Sequence, residues 1–313
     1  KEFMYRHKIP TARYRTFDKK NIHEADAFLN SLDPPYVLKA DGLAAGKGVL
    51  ILTDLNEAKQ SLEKMILEKK FGQASESVVI EEYLNGIEVS SFVLTDGHSY
   101  KIFPMAKDYK RIGVGDTGLN TGGMGAISPV PFVDQNLYQK IENQIIQPTI
   151  NGLKKDKIDY TGFLFIGLMI VKNDPFVIEY NVRLGDPETE AILPRIESDL
   201  LEIFLQLKTS QLQTSNLKVS DLFSTTVMTV SKGYPEEYEK GKIITGLDCK
   251  NESFLFHSGT KIEGQKIVTS GGRVIAITSM DKDLKIALEK SYKTISKIDF
   301  DGKTFRNDIG FDL

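Results

Sequence analysis

The chain has 313 residues, of which 41% are hydrophobic, and a formal net charge of −3. This length and apolar content allow a sizeable core in two or three structural units. The near-neutral charge gives no sign of a nucleic-acid partner. A single cysteine excludes a disulfide framework and is typical of a protein from a reducing compartment. The four histidines form no zinc-binding pattern, and the longest apolar run, 163–171, is too short to span a bilayer. With no cationic leader before an apolar segment, these features predict a cytoplasmic protein without a membrane partner.

The first part of the chain predicts a compact α+β lobe. Residues 2–7 have the pattern of the end of a helix, which Pro10 would break. Strand-like and helix-like apolar patterns then follow in the order β-α-β-β-α-β. The predicted strands are 14–17, 36–39, 48–52 and 77–82, and the predicted helices are 22–32 and 55–67.

The rest of the chain predicts two hairpins and then a smaller mixed unit. Asp96-Gly97 is a turn signal in the first hairpin, and 173–175 separates the strands of the second. The segment 107–124 is polar and glycine-rich, so we expect a loop there, and the polar segment 210–220 marks a boundary. Predicted strands are 89–94, 99–103, 163–171, 176–180, 225–230, 243–244, 254–257, 267–268 and 274–278, and predicted helices are 136–153, 188–207 and 282–296.

The stretch 177–188, VIEYNVRLGDPE, carries the clearest chemical signal. Successive side chains of a strand point to opposite faces, so Glu179, Asn181 and Arg183 are expected to project together. A carboxylate and a carboxamide are oxygen ligands for Mg²⁺, and a guanidinium is a forked donor for phosphoryl oxygens. The alternative is the solvated polar face of an edge strand. The opposite face is expected to carry the apolar side chains of Ile178, Tyr180 and Val182.

The stretch 37–48, VLKADGLAAGKG, is a candidate phosphate-binding loop after a strand. Glycines allow close approach of the backbone to phosphate, and Lys39 and Lys47 supply positive charge. It is not a Walker A loop, because the glycine spacing differs, Gly48 replaces the Ser or Thr, and a strand follows where a helix is needed. The alternative is a surface hairpin with two solvated lysines.

The stretch 113–118 matches GxGxxG, but no strand precedes it and no helix follows, so we reject a dinucleotide site. A protein kinase is excluded in the same way, since no HRD or DFG element is present. The glycine-dense sequence after Lys107, Lys110 and Arg111 instead suits a mobile lid over an anionic ligand. The alternative is an unstructured loop.

A short linker around 81–84 joins the first lobe to the next unit. Its free backbone groups could pair with adenine, and Glu88 could accept from ribose hydroxyls. Acidic residues at strand ends are more often simply solvated, so this signal is weak alone.

Five stretches together resemble the glycinamide ribonucleotide synthetase family of ATP-grasp enzymes. They are VLKADGLAAGKGV (37–49), IEEYLNGIEVS (80–90), DTGLNTGGMGA (116–126), EYNVRLGDPETE (179–190) and SGGRVIAIT (270–278). The resemblance runs through essentially the whole chain. It implies an α+β ATP-grasp fold, in which two α+β lobes enclose ATP, plus a small mixed α/β C-terminal domain. The implied division is 1–15 in the large lobe, 16–85 as the small lobe, 86–212 as the rest of the large lobe, and 213–313 as the C-terminal domain.

The resemblance implies ATP as cofactor, together with Mg²⁺ or Mn²⁺. Glu179 and Asn181 would ligate the metal. The implied ATP contacts are Lys39, Lys47, Glu81, Glu82, Tyr83, Leu84 and Glu88.

The implied reaction joins glycine to 5-phosphoribosylamine through glycyl phosphate and releases ADP and phosphate. Arg183 would stabilise the transferring phosphoryl group, and Asp186 and Lys47 complete the implied catalytic residues. The implied substrate contacts are Thr121, Gly122, Gly123, Met124, Asp186 and Arg273.

Two departures from the family keep alternatives open. The strand GFLFIGLMIV (162–171) offers no acidic metal ligand, and the chain starts without the nucleotide-fold domain with which family members begin. We therefore expect MgATP binding with poor turnover. The sequence does not determine the oligomeric state, and a monomer is a separate expectation. The alternatives are another ATP-grasp carboxylate–amine ligase or carboxylase, and a non-catalytic nucleotide-binding fragment.

Replacement of Lys47 tests the phosphate-loop interpretation. Lys47→Ala should weaken ATP binding by about 1.5–3 kcal/mol if the lysine contacts phosphate. Lys59→Ala, on the predicted small-lobe helix, is the control, and an exposed lysine should contribute only about 0–1 kcal/mol. Titration calorimetry with ATP and with adenosine measures both variants. Equal ATP affinities for the two variants would contradict the interpretation.

Overall fold

The computed structural model describes residues 1–42, 44, 48–209, 211–248 and 252–313. Its α-helices are α1 (Glu2–Arg6), α2 (Ala25–Leu29), α3 (Leu55–Ile66), α4 (Gln135–Ile141), α5 (Gln147–Lys155), α6 (Glu188–Ile192), α7 (Leu200–Lys208) and α8 (Leu284–Ile295). Its strands in the first half are β1 (Tyr14–Asp18), β2 (Tyr36–Ala40), β3 (Val49–Leu52), β4 (Ser77–Glu82), β5 (Ile87–Thr95), β6 (Tyr100–Asp108), β7 (Arg111–Gly113), β8 (Thr117–Asn120) and β9 (Gly125–Ser128). The later strands are β10 (Gly162–Val171), β11 (Asp174–Asn181), β12 (Phe223–Ser231), β13 (Phe254–His257), β14 (Thr260–Glu263), β15 (Lys266–Thr269), β16 (Arg273–Asp281) and β17 (Lys303–Thr304).

The first sheet is four-stranded and antiparallel, in the order β1-β4-β2-β3. Leu38 of β2 lies opposite Ile80 of β4, and both are fully buried. α3 begins after Asp54, whose side chain accepts a hydrogen bond from the Glu57 N–H, as an N-cap does. The buried positions of α3 recur with helical spacing and pack on this sheet with α2: Ala58, Leu62, Met65 and Ile66.

The second sheet runs in the order β11-β10-β5-β6-β9-β12-β16-β13, with β17 beside β12. Its middle strands are apolar on both faces. Val93 of β5 packs in one core with α4 and α5, whereas Phe92 and Leu94 pack in another with α6 and α7. This double burial explains the near-continuous apolar character of the hairpin sequences. α8 packs against β12 and β16 in a third core.

The N-terminal segment packs with the second sheet. Met4 and Ile9 belong to the same core as Val177, and the Val177 N–H donates to the Pro10 carbonyl at 2.8 Å. The four-part domain division remains a prediction.

The α+β class, the β-α-β-β-α-β order and both hairpins are confirmed, but the segment 107–124 is not a single loop. Lys107 and Asp108 complete β6, and β7 and β8 form a two-stranded hairpin. Every residue of β8 is exposed, so no apolar alternation marks it in the sequence.

Other differences occur at element ends and in the last third. The predicted helix 22–32 is a 3₁₀ turn followed by α2, and the predicted helix 188–207 is interrupted at 196–199 before Asp199 caps α7. The predicted strand 243–244 is replaced by isolated bridges at Ile243 and Thr245. β9, β14 and β17 were not predicted, because each is short and two of them have mostly polar sequences.

Within the described ranges, no helix combines the length and the apolar character needed to cross a bilayer.

Candidate active site

A cleft of about 580 Å³ lies between the two sheets. This volume is typical of small-molecule sites. One wall comes from β2, β3 and the end of β4, and the other from β5, β6, β10 and β11. Its lining includes Val37, Lys39, Val49, Ile51, Glu81, Glu82, Tyr83, Leu84, Gly86, Glu88, Ser90, Lys107, Asp108, Lys110, Leu168, Met169, Ile178, Glu179 and Asp312.

Part of the cleft is apolar. Val49 and Ile51 of β3 are 49% and 50% exposed, which leaves apolar area open to solvent within the cleft. Leu168, Met169 and Ile178 line the cleft from the second sheet. A flat aromatic ring bound here would remove these side chains from water, which is favourable by roughly 25 cal/mol per Å².

The linker between the lobes also reaches the cleft. β4 ends at Glu82 and β5 begins at Ile87, so Tyr83 and Leu84 lie outside both strands and keep their backbone groups out of the ladders. At Gly86 a Cβ would lie 2.2 Å from the Ile170 carbonyl oxygen, so only glycine allows this close approach. The linker thus has backbone N–H and C=O groups that are available to hydrogen-bond a nucleobase.

A β-bulge in β11 decides which side chains reach the cleft. Gly167 of β10 pairs with Glu179, and the register then shifts, leaving Ile178 as the extra residue. Val177 and Tyr180 consequently pack in the core, whereas Ile178 and Glu179 both line the cleft.

The bulge corrects the expectation for the apolar face of this strand. Ile178 lines the cleft and Val182 is 72% exposed, so of the three predicted residues only Tyr180 packs behind the sheet. Glu179 and Asn181 are adjacent as predicted, with the Asn181 Nδ2 donating to Glu179 Oε1 at 3.0 Å. Rotation of the amide would present its oxygen beside the carboxylate.

Arg183 lies beyond the end of β11. Its side chain is exposed, and its Nη1 donates to the Leu184 carbonyl at 2.8 Å. The predicted contact with a phosphoryl group therefore stays a prediction.

Two lysines, Lys39 of the small lobe and Lys1 of the N-terminal segment, converge on one carboxylate. Lys39 Nζ and Lys1 Nζ lie 3.0 Å and 3.1 Å from Glu81 Oε2, and Glu81 is 4% exposed. Burial lowers the pKa of the Lys1 ammonium, although Glu81 opposes this effect. Lys47 lies outside the described residues, and the control Lys59 pairs with Asp26 at 2.9 Å.

Lys110 lies among acidic groups on the opposite wall. Lys110 Nζ pairs with Glu88 and lies 4.0 Å from Asp108 Oδ1. Burial lowers the pKa of Lys110, but Asp108 and Glu88 outweigh it, so the net shift is upward. Burial raises the pKa of Asp108 to about 7, and it also raises the pKa of Glu188, which accepts from the Ser90 hydroxyl at 2.9 Å. This wall therefore places the Lys110 cation near two carboxyl groups, Asp108 and Glu188, whose pKa is raised.

A second polar group joins three distant segments. Arg273 Nη1 donates to the carbonyls of Gly122 and Asp186 at 2.6 Å and 2.8 Å, and its Nη2 lies 3.0 Å from Asp186 Oδ2. A Cβ on Gly122 would approach the Arg273 guanidinium carbon to 2.9 Å, and Gly123 has φ +117° against Pro187. The structure thus brings together four of the predicted substrate-contacting residues; their role stays a prediction.

Other predicted site residues are placed as follows. Glu82 accepts from the Arg13 N–H and Nε, each at 2.8 Å. Thr121 donates its hydroxyl proton to the Lys110 carbonyl at 2.8 Å, whereas Met124 is 1% exposed in the C-terminal core.

Asp108, Glu188 and Asp312 were missed by sequence analysis. Asp108 ends a strand that was predicted to stop at Phe103, and Glu188 was treated only as a helix start. Asp312 lies far along the chain and gives no local signal.

Comparison with known protein families shows to which family the chain belongs. The model of the phosphoribosylglycinamide synthetase ATP-grasp (A) domain matches residues 1–189, and that of the C domain of the same synthetase matches 224–312. The chain belongs to the phosphoribosylglycinamide synthetase family. Within this family, the phosphoribosylamine–glycine ligase of Chlorobaculum tepidum is 45% identical over 99% of this chain and 73% of its own length. The human trifunctional purine biosynthetic protein adenosine-3 is 44% identical over 99% of this chain and 31% of its own.

Solved structures agree with this assignment. The phosphoribosylamine–glycine ligase of Thermotoga maritima is 37% identical and superimposes with a TM-score of 0.90 over 98% of this chain and 76% of its own. A biotin carboxylase from Campylobacter jejuni, 15% identical, has a TM-score of 0.75 over 98% of this chain and 67% of its own, which shows the shared fold alone. The expected ATP-grasp fold of this synthetase family member is confirmed.

Glu179→Gln tests the paired oxygen donors. Loss of one carboxylate charge should weaken magnesium-dependent ATP binding by about tenfold or more, because hard-cation sites depend on ligand charge. Far-UV circular dichroism should not change, since Glu179 is solvent-exposed. Glu202→Gln, an exposed glutamate on α7, is the matched control. Retained magnesium dependence in Glu179→Gln would show that the carboxylate is not a ligand.

Asp108→Asn tests the buried carboxyl group. The pKa of Asp108 is about 7 in the folded state and has the ordinary aspartate value of about 4 in the unfolded state. Between these two pH values only the folded state holds the proton, so the free energy of unfolding of the wild type falls as pH rises. The asparagine cannot ionise, so the stability of the variant relative to wild type should increase across this window, by on the order of 1.4 kcal/mol per pH unit at most. Urea unfolding at about pH 5 and about pH 8 measures it. A difference independent of pH would contradict the raised pKa.

Proposed function

We propose that the chain is an ATP-dependent ligase that joins glycine to 5-phosphoribosylamine, in line with the name phosphoribosylamine–glycine ligase that its relatives carry. One observation supports this most directly. Glu179, whose carboxylate accepts a hydrogen bond from the neighbouring Asn181 side chain, lines a cleft together with Lys39, Lys110 and an apolar surface. Oxygen donors, cations and an apolar surface are what a metal-bound nucleotide requires in one place.

The proposed nucleotide position follows the cleft. The adenine lies against the apolar side chains, with the backbone of Glu81 to Leu84 beside its polar edge. Glu88 accepts a hydrogen bond from the ribose, and its ion pair with Lys110 weakens when that contact forms. Lys39 and Lys47 hold the phosphates.

The paired side chains of Glu179 and Asn181 fit a divalent cation. Their polar groups are 3.0 Å apart, and both types of side chain supply oxygen ligands. Mg²⁺ or Mn²⁺ bound there would offset phosphate charge. Among the described residues no group of three or more His, Cys, Asp or Glu side chains could hold a metal, so the nucleotide would complete the coordination.

In the proposed reaction, a glycine carboxylate oxygen attacks the γ-phosphorus, and the bond to the bridging oxygen of ADP breaks. The amine nitrogen of 5-phosphoribosylamine then attacks the acyl carbon of glycyl phosphate. The acyl C–O bond breaks, phosphate leaves with its electron pair, and the nitrogen loses a proton. Arg183 and Lys47 stabilise the phosphoryl charge, and the closed lobes exclude water from the acyl phosphate.

Glycine and 5-phosphoribosylamine are placed near Arg273 and Asp186. Arg273 already donates to the carbonyls of Gly122 and Asp186, and Gly123 lies against Asp186 and Pro187. A guanidinium held in this way is pre-organised for a carboxylate or phosphate group. We place the reaction in the cytoplasm, which the single cysteine supports.

ADP formation tests the proposed function. We expect ADP only when ATP, Mg²⁺, glycine and 5-phosphoribosylamine, generated from ribose 5-phosphate and ammonia, are all present. Omission of glycine or of ribose 5-phosphate provides the matched controls, and mass spectrometry identifies the amide product. ADP formation that depends on bicarbonate instead would indicate a carboxylase. ATP binding without ADP formation under any of these conditions would indicate a nucleotide-binding protein.

A further inference from the structure

The C-terminal segment, defined here as residues 306–313, reaches from the C-terminal core to the cleft. Ile309 is 3% exposed in the core that includes Val227 and Ile277. A few residues later, Asp312 lines the cleft. This segment thus connects the last unit of the chain to the proposed nucleotide site.

Asp312 holds a lysine on the cleft wall. Its Oδ2 lies 3.0 Å from Lys107 Nζ, and its Oδ1 accepts from the Tyr109 hydroxyl at 2.8 Å. The Lys107 ammonium also lies 3.9 Å from the centre of the Tyr109 ring. Burial, then the Asp312 charge, raises the pKa of Tyr109, so its hydroxyl remains a donor. The ion pair and the ring contact therefore fix the otherwise flexible side chain of Lys107, and the Tyr109 hydrogen bond fixes Asp312.

Arg306 and Asp308 hold the turn of the β7–β8 hairpin. Arg306 is 1% exposed, and its Nε and Nη2 donate to Asp308 at 2.8 Å and 2.7 Å. Its Nη1 donates to Asp116 and to the Arg111 carbonyl. Asp308 Oδ2 also accepts from the Gly115 N–H at 2.7 Å. Asp116 and Arg111 line the cleft, so this cluster attaches the C-terminal segment to a second part of the cleft wall.

We propose that the C-terminal segment is part of the active site, with Asp312 positioning the Lys107 ammonium for an anionic substrate group and Arg306–Asp308 positioning the β7–β8 hairpin beside it. This inference rests on the proposed function. It assigns positioning roles to Arg306, Asp308 and Asp312, which lie outside every motif that indicated the site.

The chemistry of Lys107 supports this role. Its side chain is 6% exposed and that of Asp312 is 31% exposed, so the ion pair lies at the boundary between protein and cleft. An ammonium has three donors, and the contact with Asp312 occupies one of them. The remaining donors can bind a phosphate or carboxylate oxygen without disrupting the pair. Without Asp312, a nearly buried charge would lose its partner and turn toward solvent.

Asp312→Asn tests the lysine contact. The amide oxygen can still accept from Tyr109, whereas the charge that holds Lys107 is lost. We expect kcat for ADP formation to fall about tenfold or more, because small displacements of a positioned group reduce rate strongly. The dissociation constant for ATP, measured by calorimetry, should change by less than about threefold, because the other proposed phosphate contacts remain. Asp312→Glu, which keeps the charge, should recover part of the rate.

Asp299→Asn is the matched control. Asp299 is also an aspartate near the C-terminus with a lysine partner, Lys303 at 3.6 Å, but its side chain is 75% exposed. Wild-type kcat in Asp312→Asn, or equal losses in Asp312→Asn and Asp299→Asn, would overturn the proposal. So would a loss in Asp312→Asn that Asp312→Glu does not reduce.

Asp116→Asn tests the hairpin contact by a measurement that needs no reaction. Asp116 has φ 54°, a conformation that asparagine tolerates, so the substitution removes mainly the charge facing Arg306. Amide hydrogen exchange, read by mass spectrometry, should become faster over residues 111–120 and remain unchanged in β5 and β10. Unchanged exchange over 111–120 would overturn this part of the proposal. If the wild-type chain forms no ADP, the proposed function fails, and the exchange measurement alone decides whether the C-terminal segment orders the cleft wall.

Discussion

The antiparallel ladder that joins β11 to β13 is the constraint on which the site depends. Because this sheet is continuous, Glu179 on β11 and Lys107 on β6 are held three strands apart, roughly 14 Å at the usual strand spacing. The small lobe has its own sheet and meets this frame through the linker after Glu82. The cleft therefore has one wall built on a single hydrogen-bonded scaffold and one wall that approaches it from a separate sheet.

Charge pairing is the second organising feature. Lys39 pairs with Glu81, Lys110 with Glu88, and Lys107 with Asp312, all within the same cleft. Pairs of this kind contribute little net stability, because desolvation offsets much of the attraction. Their effect is to keep cations in place before a ligand arrives. An anionic nucleotide then meets oriented donors instead of lysines dispersed in solvent.

The fold of this molecule does not by itself determine which substrates it binds. A biotin carboxylase with 15% identity shares the architecture, so the two-sheet cleft by itself does not define the substrates. The contacts among Gly122, Asp186 and Arg273 come from three segments far apart in sequence. They lie where the segment after β8, the segment after β11 and the start of β16 meet. Substrate selection is therefore expected to depend on this junction, and nucleotide binding on the cleft.

The sequence by itself determined the elements with strong periodicity and the residues grouped within one motif. The small-lobe order, both hairpins and the adjacency of Glu179 and Asn181 follow from local patterns, because alternation and helical spacing depend only on near neighbours.

Only the tertiary structure decided features that depend on register and on distant partners. The bulge at Ile178 follows from the pairing of β11 with β10, and it reverses the expected facing of Ile178. The raised pKa of Asp108 requires burial between elements, and the contact of Asp312 with Lys107 spans almost the whole chain after β6. No local pattern encodes these contacts, since each one exists only after separate segments have packed together.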